Sequence, residues 1–198
     1  MSDVRVRVRR PNPPSIFQED EPVGFAVTVP TDPTCIIGID PSLSVTGVAV
    51  LRDAHILNSN FASKKLRGVE RLAWFRTQLE GLFKTYRPAM VVIEGYSYGA
   101  VNAREVLGEL GGVVRLACYD AGVPFRVVPP QSLKLFASGK GNCPKDNVSK
   151  ELYKRYGVDL SENNEVDAAG LAIMGLAMVH EGFPLTEFQR RALAKIEE

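Results

Sequence analysis

The sequence has no CxxC pair, no apolar stretch long enough to cross a bilayer, no internal repeat and almost no net charge. Each absence removes a class of protein. Cys35, Cys118 and Cys143 are odd in number and far apart, which excludes a disulfide framework and a zinc knuckle. The longest apolar run, Ala168 to Val179, is a dozen residues with two glycines in it, too short for a membrane span. The basic start (Arg5, Arg7, Arg9, Arg10) is followed by prolines rather than by a hydrophobic segment, so no secretory signal is visible. The expectation is a protein of the reducing cytoplasm without a membrane partner, in which Cys35 and Cys118, lying in apolar runs, are free buried thiols. Twenty-four basic residues against 23 acidic ones leave a formal charge of +1, so bulk charge does not mark a nucleic-acid binder. What is present is ordinary for a folded chain: 198 residues, 45% hydrophobic and 24% charged, enough for one domain with a tail.

Residues 1–33 read as the tail. Val4 to Arg9 alternate valine and arginine, then Pro11, Pro13 and Pro14 lead to Glu19, Asp20 and Glu21, followed by Pro22, Pro30 and Pro33. Prolines at that density oppose both helix and central strand. The expectation is a mobile extension with at most one edge strand, its basic stretch either a solvated tail or an arm for nucleic acid.

Residues 34–198 read as the folded domain. Cys35–Ile39, Val45–Leu51 and His55–Phe61 are short β-type runs separated by polar turns, as in an antiparallel meander. Leu72, Phe75, Leu79, Leu82 and Phe83 recur at helical spacing up to Pro88. Met90–Ile93 is a continuous apolar strand of the kind buried on both faces. Val106 to Cys118 make a second amphipathic helix, stopped by Gly122, and Phe125–Val128 a fifth strand. The rest is helical: a short segment around Leu133–Phe136, then Asn147–Tyr156, Val166–His180, and a last helix announced by Thr186 with Gln189 three residues on. The order implies an α/β fold, a mixed five-stranded sheet with helices on both faces in the ribonuclease H-like layout.

Three carboxylates stand where such a fold keeps its chemistry. Asp40 ends the first strand of the domain, Glu94 ends the fourth, and Asp167 opens a strongly apolar helix. Functional groups gather beyond the carboxyl ends of central strands. Each acid also has an ordinary reading: Asp40 before Pro41 as a turn residue, Asp167 as a complement to a helix N-terminus. Glu94, running on from Met-Val-Val-Ile, is harder to place in that way. Carboxylates gathered without basic partners call for a cation, and oxygen sites of this kind suit Mg²⁺ or Mn²⁺. Two such ions can activate water for phosphodiester hydrolysis.

The segment Ile36 to Val50 (IIGIDPSLSVTGVAV) resembles the opening of the RuvC family of Holliday-junction resolvases. Val91-Val92-Ile93-Glu94 with Asn102 and Gly108–Val113, then Val128 to Lys134, then Gly139-Lys140-Gly141 with Lys145 to Val148, and finally Glu165 to Ala172 resemble its later motifs in order. Tyr96-Ser97-Tyr98-Gly99 and the added N-terminus look more like phage or prophage members than the bacterial housekeeping enzyme. The resemblance implies a homodimeric, metal-dependent endonuclease that cuts four-way branched DNA, leaving a 5′-phosphate and a 3′-hydroxyl. By it, Asp40, Glu94 and Asp167 hold two Mg²⁺ or Mn²⁺ ions per active site, with Asp40 bridging both. The family carries a further acidic or histidine ligand one helical turn before the last Asp. Here that position is Asn164, leaving two candidates for a fourth ligand: the Asn164 carbonyl or the longer Glu165 side chain.

Lys134, Lys140, Lys145, Lys150, Lys154 and Arg155 face only Asp146 and Glu151 within residues 131–155. A solvated face is the ordinary reading of such a run; a glycine-rich loop bearing lysines also approaches a phosphate backbone closely. Under the resemblance, Lys134, Lys140 and Lys145 contact DNA phosphates, with Lys145 beside the catalytic acids. Tyr96, Tyr98, Asn102 and Arg104 are further DNA contacts, the tyrosines either stacking on unpaired bases or packing on the sheet edge. Gly108, Gly111 and Gly112 inside a helix imply a close approach by a two-fold mate or by DNA. His55 and His180 are expected to be structural. Gly38-Ile39-Asp40 near Ser44 and Thr46 also resembles the first phosphate loop of actin-like ATPases, but one domain of this length lacks the second such loop, so no nucleotide cofactor is expected. The remaining alternatives are a non-catalytic relative that binds branched DNA and a nuclease for RNA–DNA hybrids.

Overall fold

The computed structural model describes residues 5–9, 23–26, 35–63, 65–96 and 104–196. In chain order the elements are β1 (Arg5–Arg9), β2 (Val23–Ala26), β3 (Ile36–Asp40), β4 (Val45–Arg52), β5 (His55–Ala62), α1 (Gly68–Tyr86), β6 (Met90–Glu94), α2 (Arg104–Asp120), β7 (Phe125–Val128), α3 (Pro130–Ser138), α4 (Lys145–Tyr156), α5 (Asn163–Val179) and α6 (Glu187–Leu193). They form one sheet in the order β2-β1-β5-β4-β3-β6-β7. β3, β4 and β5 are the antiparallel meander, while β6 and β7 add to β3 in parallel. These five strands are the mixed sheet read from the sequence.

Strand alternation divides the interior into two halves. Ile37, Ile39, Val48, Val50, Val91 and Ile93 face α1 and α2, meeting Phe75, Leu79, Leu82, Leu110 and Val114. Ile36, Ala49, Leu51, Ile56 and Val92 face the other way, against α5 and the α3, α4 and α6 layer outside it. Helix α5 is therefore apolar on every side except for Asp167, with every residue from Val166 to Ala177 buried, as expected of a helix with protein on both sides.

Three features differ from the sequence pattern. The extension contributes two strands rather than one: β1 pairs in parallel with β5, and β2 pairs antiparallel with β1. Pro130, two residues past the fifth strand, does not break structure but is the first residue of α3, a position where its fixed φ and missing N–H cost nothing. Helix α5 begins at Asn163, four residues before Asp167, so Asp167 lies in the second turn and is no complement to the helix N-terminus.

Two glycines let α5 lie directly on the sheet backbone. A Cβ at Gly38 would stand 2.0 Å from the Ala168 carbonyl oxygen and 2.6 Å from the Ala172 nitrogen, and one at Gly47 would stand 2.0 Å from the Asn164 carbonyl oxygen. The obstacle in each case is backbone, which cannot step aside. Gly38→Ala is expected to destabilise the protein by more than the ~3 kcal/mol upper range of ordinary overpacking. Gly81→Ala in α1, where a Cβ meets nothing within 4 Å, should instead stabilise it by about 1 kcal/mol. Urea unfolding of the two variants checks both signs.

Candidate metal centre

Asp40 and Glu94 are the last residues of neighbouring parallel strands. The register Ile39↔Ile93 carries both side chains one step past the paired region, onto the face that α5 covers. The loop after Asp40 is held from several sides. The Thr46 hydroxyl accepts the Ser42 N–H and donates to the Ser42 carbonyl, both at 3.1 Å. The buried Arg71 guanidinium donates to the Leu43 carbonyl at 3.4 Å. Behind Glu94, the Gly95 N–H donates to Val128 at 2.8 Å. Asp167 arrives from α5, and one carboxylate oxygen from each of Asp40, Glu94 and Asp167 lies within 4.8 Å of the others. With Asp40 6% exposed and Asp167 8% exposed, the group is largely out of water.

Burial is the main force on all three acids, and it pushes each above the ordinary carboxylate range. Glu94 rises most, because the Asp40 charge and the hydrogen bond it shares with Asp40 add to burial. In Asp40 that same hydrogen bond works the other way, so a proton held by the pair resides on Glu94. Lys145, from the first turn of α4, places Nζ 3.4 Å from Asp167 Oδ2. Burial works against its charge, and the charges of Asp167 and Asp40 more than offset it. Three carboxylates against one ammonium in direct contact, Lys145, leave an electrostatic deficit, and an all-oxygen donor set of this charge is compatible with a hard divalent cation. A cavity of about 270 Å³ opens beside the group, lined among others by Glu94, Tyr96, Lys134, Lys145 and Asp167.

The other expected site residues divide. Lys134 lines the cavity and acts on the Asp167 charge, whereas Lys140 is exposed in the turn after α3. Glu165 is not part of the carboxylate group, and each candidate for the fourth ligand has a hydrogen-bond partner on the sheet. Asn164 Nδ2 donates to the Val45 carbonyl at 2.6 Å, and Glu165 Oε1 accepts from Asn60 Nδ2 at 2.6 Å. Tyr96 packs within the molecule: its hydroxyl donates to the Gly108 carbonyl at 3.3 Å and meets the Arg115 guanidinium at 3.5 Å. That hydroxyl occupies the space a Cβ at Gly111 would take, so the close approach that Gly111 implied is made by Tyr96 of the same chain rather than by a mate or DNA. Gly108 and Gly112 face open space. Tyr98 and Asn102 lie outside the described residues, as does the Arg104 side chain. His55 and His180 make local hydrogen bonds, to the Asp53 carbonyl and from the Gly182 N–H. The sequence pattern does not single out Asn60; the available signal is that asparagine is poor in strands and β5 carries two, Asn58 and Asn60.

The family described as "Crossover junction endodeoxyribonuclease RuvC" matches residues 36–180, which include all three carboxylates. The chain belongs to the RuvC family. Its curated relatives include the protein of that description from Chlamydia trachomatis, 31% identical over 168 residues that cover 80% of this chain and 97% of the relative. Another, from Anaeromyxobacter sp., is 31% identical over 148 residues, covering 71% of this chain and 72% of the relative. Among solved structures, Thermus thermophilus RuvC in complex with a Holliday junction superposes with a TM-score of 0.62 at 21% identity, covering 71% of this chain and 91% of that one. This last likeness bears on the fold, which is the RuvC, ribonuclease H-like one. No helix among the described residues is long and apolar enough to cross a membrane.

The electrostatic deficit has a sign that can be tested. Raised carboxylate pKa values mean the fold binds protons more tightly than the unfolded chain does. Their contribution to stability is therefore full below the ordinary carboxylate range and is lost as pH climbs through the raised values, about 9 for Glu94. The metal-free protein should lose melting temperature between pH 5 and pH 9. Asp40→Asn should flatten that loss, and Mg²⁺ should restore the wild type by several degrees at the alkaline end. Thermal melts in chelator and in Mg²⁺ across that range measure it; parallel profiles for wild type and Asp40→Asn would remove the basis for the cation.

Proposed function

We propose that this RuvC-family chain is a divalent-metal-dependent endonuclease that cuts branched DNA, four-way junctions first among them, working as a homodimer. The observation that carries this reading is the convergence of Asp40, Glu94 and Asp167 from three elements that are far apart in sequence, with Lys145 beside them. The relatives' description as crossover junction endodeoxyribonucleases names the reaction, and the junction bound by the Thermus protein names the substrate. Residues 34–198 carry the catalytic unit, and Arg5–Arg9 and Val23–Ala26 add to the edge of its sheet.

In this reading Asp40, Glu94 and Asp167 would hold Mg²⁺ or Mn²⁺, two ions per site. Bound there, such ions supply an activated water for in-line attack on phosphorus and stabilise the leaving oxygen, giving a 5′-phosphate and a 3′-hydroxyl. The protein's own groups do the positioning. Lys145 leaves Asp167 for the scissile phosphate, while Lys134 in the cavity and Lys140 on its exposed turn contact flanking phosphates. Tyr96 lines the cavity with its hydroxyl anchored on α2, and Tyr98, Asn102 and Arg104 complete the branch-point contacts. The outward side of α2 supports the dimer. Gly108 and Gly112 leave room for close approach, and Leu116 and Tyr119 stand 49% and 80% exposed beside them.

Asn164 favours a second reading. An amide stands where the family carries an acidic or histidine ligand, so the chain could bind junctions without cutting them. A four-way junction incubated with Mg²⁺ or Mn²⁺ separates the two. Wild type is expected to cut, with symmetric nicks on opposite strands. Asp40→Asn should lose more than about 100-fold in rate, beyond what an outer-shell partner costs, while its junction affinity stays within a few-fold. Binding without cutting in either ion would establish the second reading, and faster cutting of an RNA–DNA hybrid would reassign the substrate.

A further inference from the structure

Helix α5 touches the sheet through its backbone at Gly38 and Gly47 and through an apolar surface elsewhere. Apolar contact is non-directional and does not by itself fix how far the helix is turned about its axis. Two side chains in its first turn do supply direction: Asn164 to the Val45 carbonyl, and Glu165 to Asn60 on β5. Glu165 and Asp167 are two residues apart, roughly 200° around a helix. Because the strand order is β5-β4-β3-β6, holding Glu165 over β5 turns Asp167 the opposite way, toward the ends of β3 and β6 where Asp40 and Glu94 wait.

Asn60 sits in β5 at a cost. Its Oδ1 is buried with no hydrogen-bond partner among the described residues, and so are both amide atoms of Asn58, 1% exposed on the same face of the strand. A β-branched apolar residue would fill position 60 without that penalty. The group that the asparagine serves is the Glu165 carboxylate.

We propose that Asn60 and Glu165 are positioning residues, a clamp that sets the rotation of α5 and so places the Asp167 carboxylate in the metal centre. The proposal rests on the metal-centre reading above and assigns Glu165 a role other than fourth ligand. It makes the residue next to the family's missing ligand a brace for one of the remaining three.

Manganese binding to the full chain, followed by the loss of free Mn²⁺ signal in electron paramagnetic resonance, tests this without relying on cleavage. Asn60→Val and Glu165→Ala should each weaken binding by about 10- to 100-fold, the range for residues that orient metal ligands. The double variant should be no worse than either single one, since both break the same bond. Glu165→Gln, which keeps an acceptor oxygen for Asn60, should bind Mn²⁺ nearly as wild type does. Asn60→Val should melt no lower than wild type, so that lost affinity is not lost folding, and in junction cleavage it should lower kcat with KM little changed. Wild-type Mn²⁺ affinity in Asn60→Val overturns the clamp. So does a Glu165→Gln variant as weak as Glu165→Ala beside an unaffected Asn60→Val, which would make Glu165 a ligand. Asp40→Asn is the control on the underlying reading: if it binds Mn²⁺ as wild type does, the metal centre itself fails and the clamp with it.

Discussion

The architecture depends on one contact, the backbone of α5 lying against the backbone of β3 and β4. Any side chain at Gly38 or Gly47 would lift the helix off the sheet. The lift would act on more than packing. It would open the larger half of the core, in which α5 is the central element, and it would carry Asp167 away from two carboxylates anchored on the sheet. Stability and the acidic cluster thus share a single geometric requirement. The glycines that weaken β3 and β4 as strands are what bring the helix close enough for the three acids to meet.

That closeness has an electrostatic consequence. Bringing three carboxylates together in a poorly hydrated corner raises all three pKa values and works against the fold at neutral pH. The protein offsets part of the cost with Lys145, and Lys134 adds to that offset at Asp167. The near-zero net charge of the chain thus conceals a strong internal division. Three acids converge at one point on the sheet, and lysines from α3, α4 and the turn between them stand around or beyond it. A phosphodiester accompanied by divalent cations is complementary to both halves of that arrangement, which is why bulk neutrality does not argue against a nucleic-acid substrate.

Much of the frame was legible from periodicity. The five central strands and the helices after them carry clean alternation or helical spacing, because each buries one defined face. Asp40 and Glu94 were legible as a pair because each ends an apolar run and parallel neighbours end on the same side. The extension was less legible. Its prolines argued for little structure, yet Arg5–Arg9 and Val23–Ala26 pair at the edge of the sheet, where proline on either side does no harm to the ladder. The start of α5 was also hidden, since Asn163 to Glu165 are polar and the apolar pattern begins only at Val166.

What the sequence by itself determined is the local conformation, the family membership and the identity of three acids, because each is encoded in neighbouring residues or in a short motif. Tertiary structure alone decided which partners the ambiguous side chains chose. Tyr96 could stack on bases or pack on the sheet edge; its hydroxyl reaches α2, in the space beside Gly111 that a Cβ would take. Asn164 and Glu165 could face the acids or the sheet, and the rotation of α5 turned them to Val45 and Asn60. Those pairs are separated by up to 119 residues. Their hydrogen bonds are directional and short in range, so they exist only once packing has brought the two segments together at the right angle.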